Sequence, residues 1–257
     1  MTPRERKGPR LFVEGLRERG VLVSNTTLTL PPAESHYLRD VLRLPVGAAL
    51  EVGDPSEGRV FTATIAAIGE SVAVSILQPI GDSRSETSVT LLCALCKGQK
   101  NDQICDWATE LGCSRIIFWQ ADSSIVRLKN DGDSDVKAAR LQKIATAAAQ
   151  QSRQVKPPTV HVETSLQKAL AHLDGDASPL NIYCSLEYGA PLLHERLTST
   201  SENSHINIFV GPEGDLTPEE SKTLATQGFL PVSLGPNVLR SELAAITALI
   251  TVTNATR

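Results

Sequence analysis

Two short loops in the C-terminal third carry the residue types that could hold a small polar ligand. The first, Gly211-Pro212-Glu213-Gly214, follows the apolar run Ile206–Val210; the second, Leu234-Gly235-Pro236-Asn237-Val238-Leu239-Arg240-Ser241-Glu242, opens the last helical stretch. Glycine permits backbone angles and close approaches that a Cβ forbids, and proline stiffens each bend. Each loop is expected to leave the carboxyl end of a strand and enter a helix, the edge at which open α/β sheets bind ligands. Main-chain N–H and C=O groups displayed there suit the edges of an adenine and the hydroxyls of a ribose. The same turns can equally do no more than reverse the chain.

Other sequence signals of catalysis are missing. There is no GxxxxGK followed by Ser or Thr, no GxGxxG after a strand and no GxSxG, so kinase, NTPase and hydrolase readings lose their support. Cys93 and Cys96 form a CxxC, but residues three apart on an extended strand point to opposite faces and are expected not to share a metal unless a turn falls there. His36, His161, His172, His194 and His205 show no metal-ligand spacing, and no metal is assigned.

The elements that must position the two loops are those of an α/β layered domain. Apolar strands are predicted at Val89–Leu95, Arg115–Trp119, Val160–Val162, Leu180–Cys184, Ile206–Val210 and Leu230–Leu234. Helices are predicted at Asn101–Leu111, Asp135–Gln151, Leu166–Leu173, Thr217–Thr226 and Ser241–Thr253, an alternation that builds a mainly parallel sheet. Before it, short strands at Val21–Val23, Ala48–Val52, Arg59–Ile68 and Ser71–Leu77 around one helix, Ala33–Leu44, predict a small β-barrel. Pro79–Ser88 reads as a linker. The domains expected are 1–84 and 85–257.

The chain has 257 residues, 25 Lys plus Arg against 29 Asp plus Glu, and a net charge of −4. The longest apolar runs, such as Val89–Leu95, are far short of the roughly 18 residues of a membrane span, and no membrane partner is expected. An odd number of cysteines, five, and no signal-peptide pattern after Met1 point to a cytoplasmic protein. With a slightly acidic total, any RNA contact needs a local patch. Val136 to Val162 contains Lys137, Arg140, Lys143, Arg153 and Lys156 and no acid. That run is either a solvated helix face or a stripe that tracks phosphates, which His36, Arg39 and Arg43 could extend.

Phe209-Val210-Gly211-Pro212-Glu213-Gly214-Asp215-Leu216-Thr217-Pro218-Glu219-Glu220 resembles the GPEGG loop of the RsmE family, the ribosomal RNA uracil-N3 methyltransferases of the SPOUT superfamily. The segment Leu234–Glu242 is similar to the family's LGPRVLRTE loop. Lys97-Gly98-Gln99-Lys100 with Ala108-Thr109-Glu110-Leu111-Gly112, and His36–Gly47 in the first domain, resemble two further family segments in the family's order.

The resemblance implies an N-terminal PUA-like β-barrel, then a SPOUT α/β domain whose last segment threads a trefoil knot. It implies S-adenosyl-L-methionine as cofactor, a homodimer, and ribosomal RNA of the small ribosomal subunit as partner. The cofactor would lie against Leu186, Glu187, Val210, Gly211, Pro212, Glu213, Gly214, Leu234, Gly235, Asn237, Val238 and Leu239. Arg240 would stabilise charge on a uracil carbonyl oxygen, and Glu242 would orient Arg240 or accept a proton through water; as a first-turn carboxylate, Glu242 is equally favourable for the helix dipole alone. The chain departs from the family pattern at Gln150, Ser123, Gln154, Asn237 and Leu243, mostly on the RNA-facing side. The alternatives are the same fold acting on another base or a ribose hydroxyl, and an RNA-binding assembly factor without transfer.

Overall fold

Where β-branched and aromatic residues alternate with polar ones from residue 49 to 80, the chain forms a ladder of strands, and where apolar runs alternate with amphipathic stretches it forms a layered α/β sheet. The computed structural model describes residues 8–16, 26–80, 87–124, 126–173, 179–187, 189–198 and 205–256. The chain divides into two units, Met1–Arg84 with Ala149–Pro157, and Ser85–Ala148 with Pro158–Arg257.

The first unit holds β1 (Arg10–Phe12), β2 (Thr27–Thr29), β3 (Ala49–Asp54), β4 (Arg59–Ile68) and β5 (Val72–Ile80) in one sheet of order β1-β3-β4-β5-β2. β3, β4 and β5 are antiparallel neighbours, whereas β1 runs parallel to β3. Leu28, Leu38, Leu50, Val52, Ile65, Val72, Val74 and Ile76 fill its core. Glu51 is almost fully buried there, and two guanidiniums compensate it. Arg10 Nε donates to Glu51 Oε2 at 2.8 Å, and Arg153 NH1 donates to the same oxygen at 2.7 Å. Arg10 also donates to the carbonyls of Arg153 and Gln154 at 2.6 and 2.8 Å. Removing either partner of such a cluster leaves a buried charge without compensation.

The second unit is a six-stranded parallel sheet made of β6 (Ser88–Ala94), β7 (Arg115–Trp119), β8 (Thr159–Glu163), β9 (Leu180–Cys184), β10 (His205–Val210) and β11 (Leu230–Val232). Its order is β11-β9-β10-β6-β7-β8. Both faces are covered, so the strands read as continuous apolar runs. Leu91 and Cys93 of β6 face α2 (Lys100–Glu110), α3 (Asp131–Gln151), α5 (Leu193–Thr198) and α7 (Ser241–Ala255). Leu92 and Ala94 face α4 (Leu166–Ala171) and α6 (Pro218–Thr226). The chain builds outward from β6 to β8, then returns so that β10 lies between β9 and β6. The carboxyl ends of β9, β10 and β11 thereby meet at a place where the strand order reverses.

The segment after β11 is held from two sides. Ser185 N–H donates to the Val232 carbonyl at 2.9 Å. One residue on, Ser233 N–H donates to Pro191 O at 2.8 Å and its carbonyl accepts from Leu193 N–H at 3.0 Å. Residues 185–193 thus bond the stretch through Ser233 from both of their ends. Among the described residues no helix is long and apolar enough to cross a membrane.

Several boundaries differ from the sequence reading. The helix expected to Leu44 is α1 (Pro32–His36), which widens to a π turn at Tyr37–Val41. Arg43 then takes a left-handed backbone, φ 52°, which ends the helical path. Pro79 and Ile80 finish β5 and Ser88 begins β6, so the expected linker is shorter than 79–88. The strand expected at Val21–Val23 lies outside the described residues. The three-residue strands β1 and β2, and α5, were not anticipated.

Candidate active site

The three carboxyl-end loops enclose one cavity of about 320 Å³, within the range of small-molecule sites. From the β9 end come Cys184, Ser185 and Leu186. The β10 loop gives Val210, Gly211, Pro212, Glu213 and Asp215, and the last loop gives Leu234, Gly235, Asn237, Val238, Leu239, Arg240 and Ser241, with Ala244 of α7 behind them. Leu186 and Val238 are 67% and 77% exposed, large apolar side chains left uncovered at a concave surface. Among the described residues the main-chain N–H groups of Gly211, Leu234, Val238 and Leu239 donate to nothing else in the chain. A flat, polar-edged ligand with an apolar face suits that lining.

Local sequence fixes each wall. Thr217 and Glu220 form a capping box at the start of α6: Glu220 N–H donates to Thr217 Oγ1 at 3.2 Å and Thr217 N–H to Glu220 Oε2 at 2.8 Å. Glu220 also accepts from Asp122 N–H at 3.0 Å, which pins the exit of the Gly211–Gly214 loop. Gly235 has φ +124°, a backbone only glycine adopts without strain. Gly211 differs: a Cβ built there meets only the Leu216 side chain, at 3.5 and 3.6 Å, an ordinary contact. The fold itself therefore does not demand a glycine at 211.

Charged groups link the two loops through a third element. Lys100, at the start of α2, forms an ion pair with Glu213 and lies 3.3 Å from Glu242 Oε2. The hydrogen bond with Glu213 holds the lysine above its usual range, so it is a fixed cation. Asn101, fully buried, accepts from Cys96 N–H at 2.9 Å and donates to the Cys96 carbonyl at 2.7 Å, which shapes the turn that presents Lys100. That turn also sets the side chains of the CxxC. β6 ends at Ala94, so Cys96 swings into the same core as Cys93 and both thiols face the Ala94 carbonyl at 3.5 Å. The Cys93 thiol hydrogen bond lowers Cys96 and raises Cys93.

The structure brings together most of the anticipated residues and separates a few. Leu186, Val210, Gly211, Pro212, Glu213, Leu234, Gly235, Asn237, Val238, Leu239 and Arg240 line one cavity. Glu187 does not line it. Its N–H donates to Ser185 Oγ, and its carboxylate accepts from Tyr183 Oη at 3.3 Å. Gly214 lines a second cavity of about 270 Å³ with Leu95, Lys97, Ser123, Ser124, Pro212 and Glu213. Arg240 is exposed and, among the described residues, has no ion pair. Glu242, in the first turn of α7 where a carboxylate suits the helix dipole, pairs with Lys100. Lys100 itself was missed, although its place directly after a strand end is the same signal that picked out the two loops.

The anticipated RNA contacts divide in the same way. Lys137, Lys143, Lys156 and Arg43 are free of partners among the described residues. Arg140 is not free, being bidentate on Asp102 at 2.7 and 2.5 Å. Arg153 is committed to Glu51. His36 and Arg39 both bond Asp40, at 2.7 and 2.8 Å, and hold its carboxyl down to about 2.

Residues 83–253 match the RNA methyltransferase domain family, and residues 30–77 match the RNA methyltransferase PUA domain. The fold and the sheet-edge cavity thus belong to the class of RNA methyltransferases with an α/β catalytic domain. The ribosomal RNA small subunit methyltransferase E of Rickettsia conorii is 31% identical over 216 residues, 83% of this chain and 84% of that protein. That of Bacillus subtilis is 28% identical over 244 residues, 93% and 94% of the two chains. The chain belongs to the ribosomal RNA small subunit methyltransferase E family. The fold is also that of the Neisseria gonorrhoeae enzyme of this name bound to S-adenosyl methionine, with TM-score 0.81 at 23% identity over 96% of this chain and 97% of that one.

Proposed function

We propose that this chain transfers a methyl group from S-adenosyl-L-methionine to N3 of a uracil in small-subunit ribosomal RNA. The observation that carries the reading is the convergence of both Gly-Pro loops on one cavity, with Arg240, which has no ion pair among the described residues, in its wall. The free main-chain donors at Gly211, Leu234, Val238 and Leu239 suit an adenosine, and Leu186, Leu234 and Val238 suit its apolar face. When bound, this cofactor supplies an electrophilic methyl group. The uracil ring nitrogen carries a proton and is a poor nucleophile until charge is stabilised on its carbonyl oxygens. Arg240 supplies that stabilisation, and Lys100 positions Glu213 and Glu242 on either side of it.

The two-sided hydrogen bonding at Ser233 supports the threaded last segment that the family resemblance implies. Leu243 and Ile250, seven residues apart on α7, are exposed, as is Trp107 on α2, and such an apolar face supports a homodimer. Lys137 and Lys143 are free to meet phosphates. The test is transfer of labelled methyl from S-adenosylmethionine to small ribosomal subunits, with mass spectrometry locating the product. Methyl on N3 of one uridine is expected. Arg240→Ala is expected to lose about 2–4 kcal/mol of transition-state stabilisation with cofactor affinity little changed. Methyl on another base or on a ribose refutes the acceptor, and tight RNA binding without cofactor binding refutes the enzyme.

A further inference from the structure

A second cluster of chemistry-bearing side chains lies at the opposite edge of the parallel sheet. Val160 and Val162 of edge strand β8 turn into the core, so His161 and Glu163 project from the other face, where α4 packs. His172, the C-cap of α4, returns over them. The two imidazoles stack with centroids 4.0 Å apart, and His172 Nε2 lies 2.7 Å from Glu163 Oε1. One ligating atom from each of the three residues falls within 4.8 Å of the others, and all three are half-buried. The sequence spacing gives no hint of this, because the turn into α4 sets it.

We propose that His161, Glu163 and His172 form a binding site for a divalent transition-metal ion of the zinc type, separate from the methyl-transfer site. Two imidazoles and one carboxylate are a three-ligand zinc set that leaves the fourth tetrahedral position to water. Zinc–nitrogen bonds of about 2.0–2.1 Å require donor atoms roughly 3.3 Å apart, so the triad closes by rotamer adjustment without moving the strand. A neutral His172 frees Nε2 for the ion by carrying its one ring proton on Nδ1, and the Glu163 carboxylate turns from Nε2 to the metal. Arg115 NH1 donates to the His172 carbonyl at 2.5 Å, so a guanidinium stands beside the site. One carboxylate beside a cation is a poor site for calcium or magnesium, which need several oxygens, and favours an imidazole-seeking metal. Bound, the ion would staple β8 to the end of α4.

The test uses the full chain stripped with a chelator and titrated with zinc chloride by calorimetry. One equivalent is expected to bind with a dissociation constant of micromolar order, raising the melting temperature. His161→Ala and His172→Ala are each expected to weaken binding at least tenfold, and Glu163→Gln to weaken it as well, with circular dichroism unchanged. His161 makes no ion pair with Glu163, so its variant tests ligation even where loss of the His172–Glu163 bond disturbs the fold. Cobalt substitution is expected to show no sulfur charge-transfer band. No stoichiometric zinc binding, binding retained in both histidine variants, a thiolate band, or magnesium binding as tightly as zinc would each overturn the proposal.

Discussion

Gly211 separates folding from ligand binding, because the structure shows why the chain does not need it. A Cβ at 211 meets only Leu216 Cγ and Cδ2, at 3.5 and 3.6 Å, with no other neighbouring atom within 4 Å. Its φ lies outside the left-handed region, so a side chain is compatible with the backbone. Replacing glycine at a compatible position restricts the unfolded chain and is worth about 0.4–1 kcal/mol of stability. Gly211→Val is therefore expected to melt no lower than the parent. Its added methyl groups extend from a residue that lines the cavity, where a ligand must approach the main chain. Losing one or two main-chain hydrogen bonds at about 0.5–1.5 kcal/mol each weakens cofactor binding by roughly twofold to a hundredfold. Calorimetric titration with S-adenosylmethionine gives the affinity, and scanning calorimetry gives the melting temperature. Parental affinity would remove this loop from the pocket. A loss of more than about 2 kcal/mol of stability would refute the premise that the glycine serves the ligand alone.

Two more outcomes follow from charges and thiols. Lys143 is free and Arg140 is held by Asp102, so Lys143→Gln is expected to flatten the salt dependence of RNA binding by about one unit of slope and Arg140→Gln by less; equal changes would show that Asp102 releases Arg140 on binding. Burial pushes the thiols of Cys105, Cys113 and Cys184 up to about 12, and the Cys93 hydrogen bond lowers Cys96. Thiolate is the reactive form, so in the folded protein at pH 8 iodoacetamide is expected to label Cys96 before those three, by peptide mass mapping. Labelling of Cys184 first would refute the ordering.

The parallel sheet was legible because a strand buried on both faces is a continuous apolar run, as in Val89–Ala94 and Ile206–Val210. The two ligand loops were legible because glycine and proline are the residues such bends require. The three-residue strands β1 and β2 carry too short a pattern to be read, and β1 contains a buried arginine that sequence assigns to the surface. The partners of Lys100 and Arg153, and the meeting of His161 with His172, were illegible for a shared reason. Each residue takes its role from a partner reached through tertiary structure: Glu213 lies 113 residues beyond Lys100, and Glu51 lies 102 residues before Arg153. Glu242 fits the helix dipole as a first-turn carboxylate, and only the folded chain brings Lys100 to 3.3 Å from it.

The bond between Glu51 and Arg153 sets an order of events during synthesis. The barrel's own strands are complete by Ile80, but Arg153, one of the two guanidiniums on its buried carboxylate, is made 73 residues after it. At about 5–20 residues per second the nascent barrel waits roughly 4–15 s with Arg10 alone on that charge. A gene fragment ending at the first domain boundary would express a barrel in that waiting condition. A sound excision of the N-terminal domain has to supply residues 149–157 as a second peptide or through a short engineered connection.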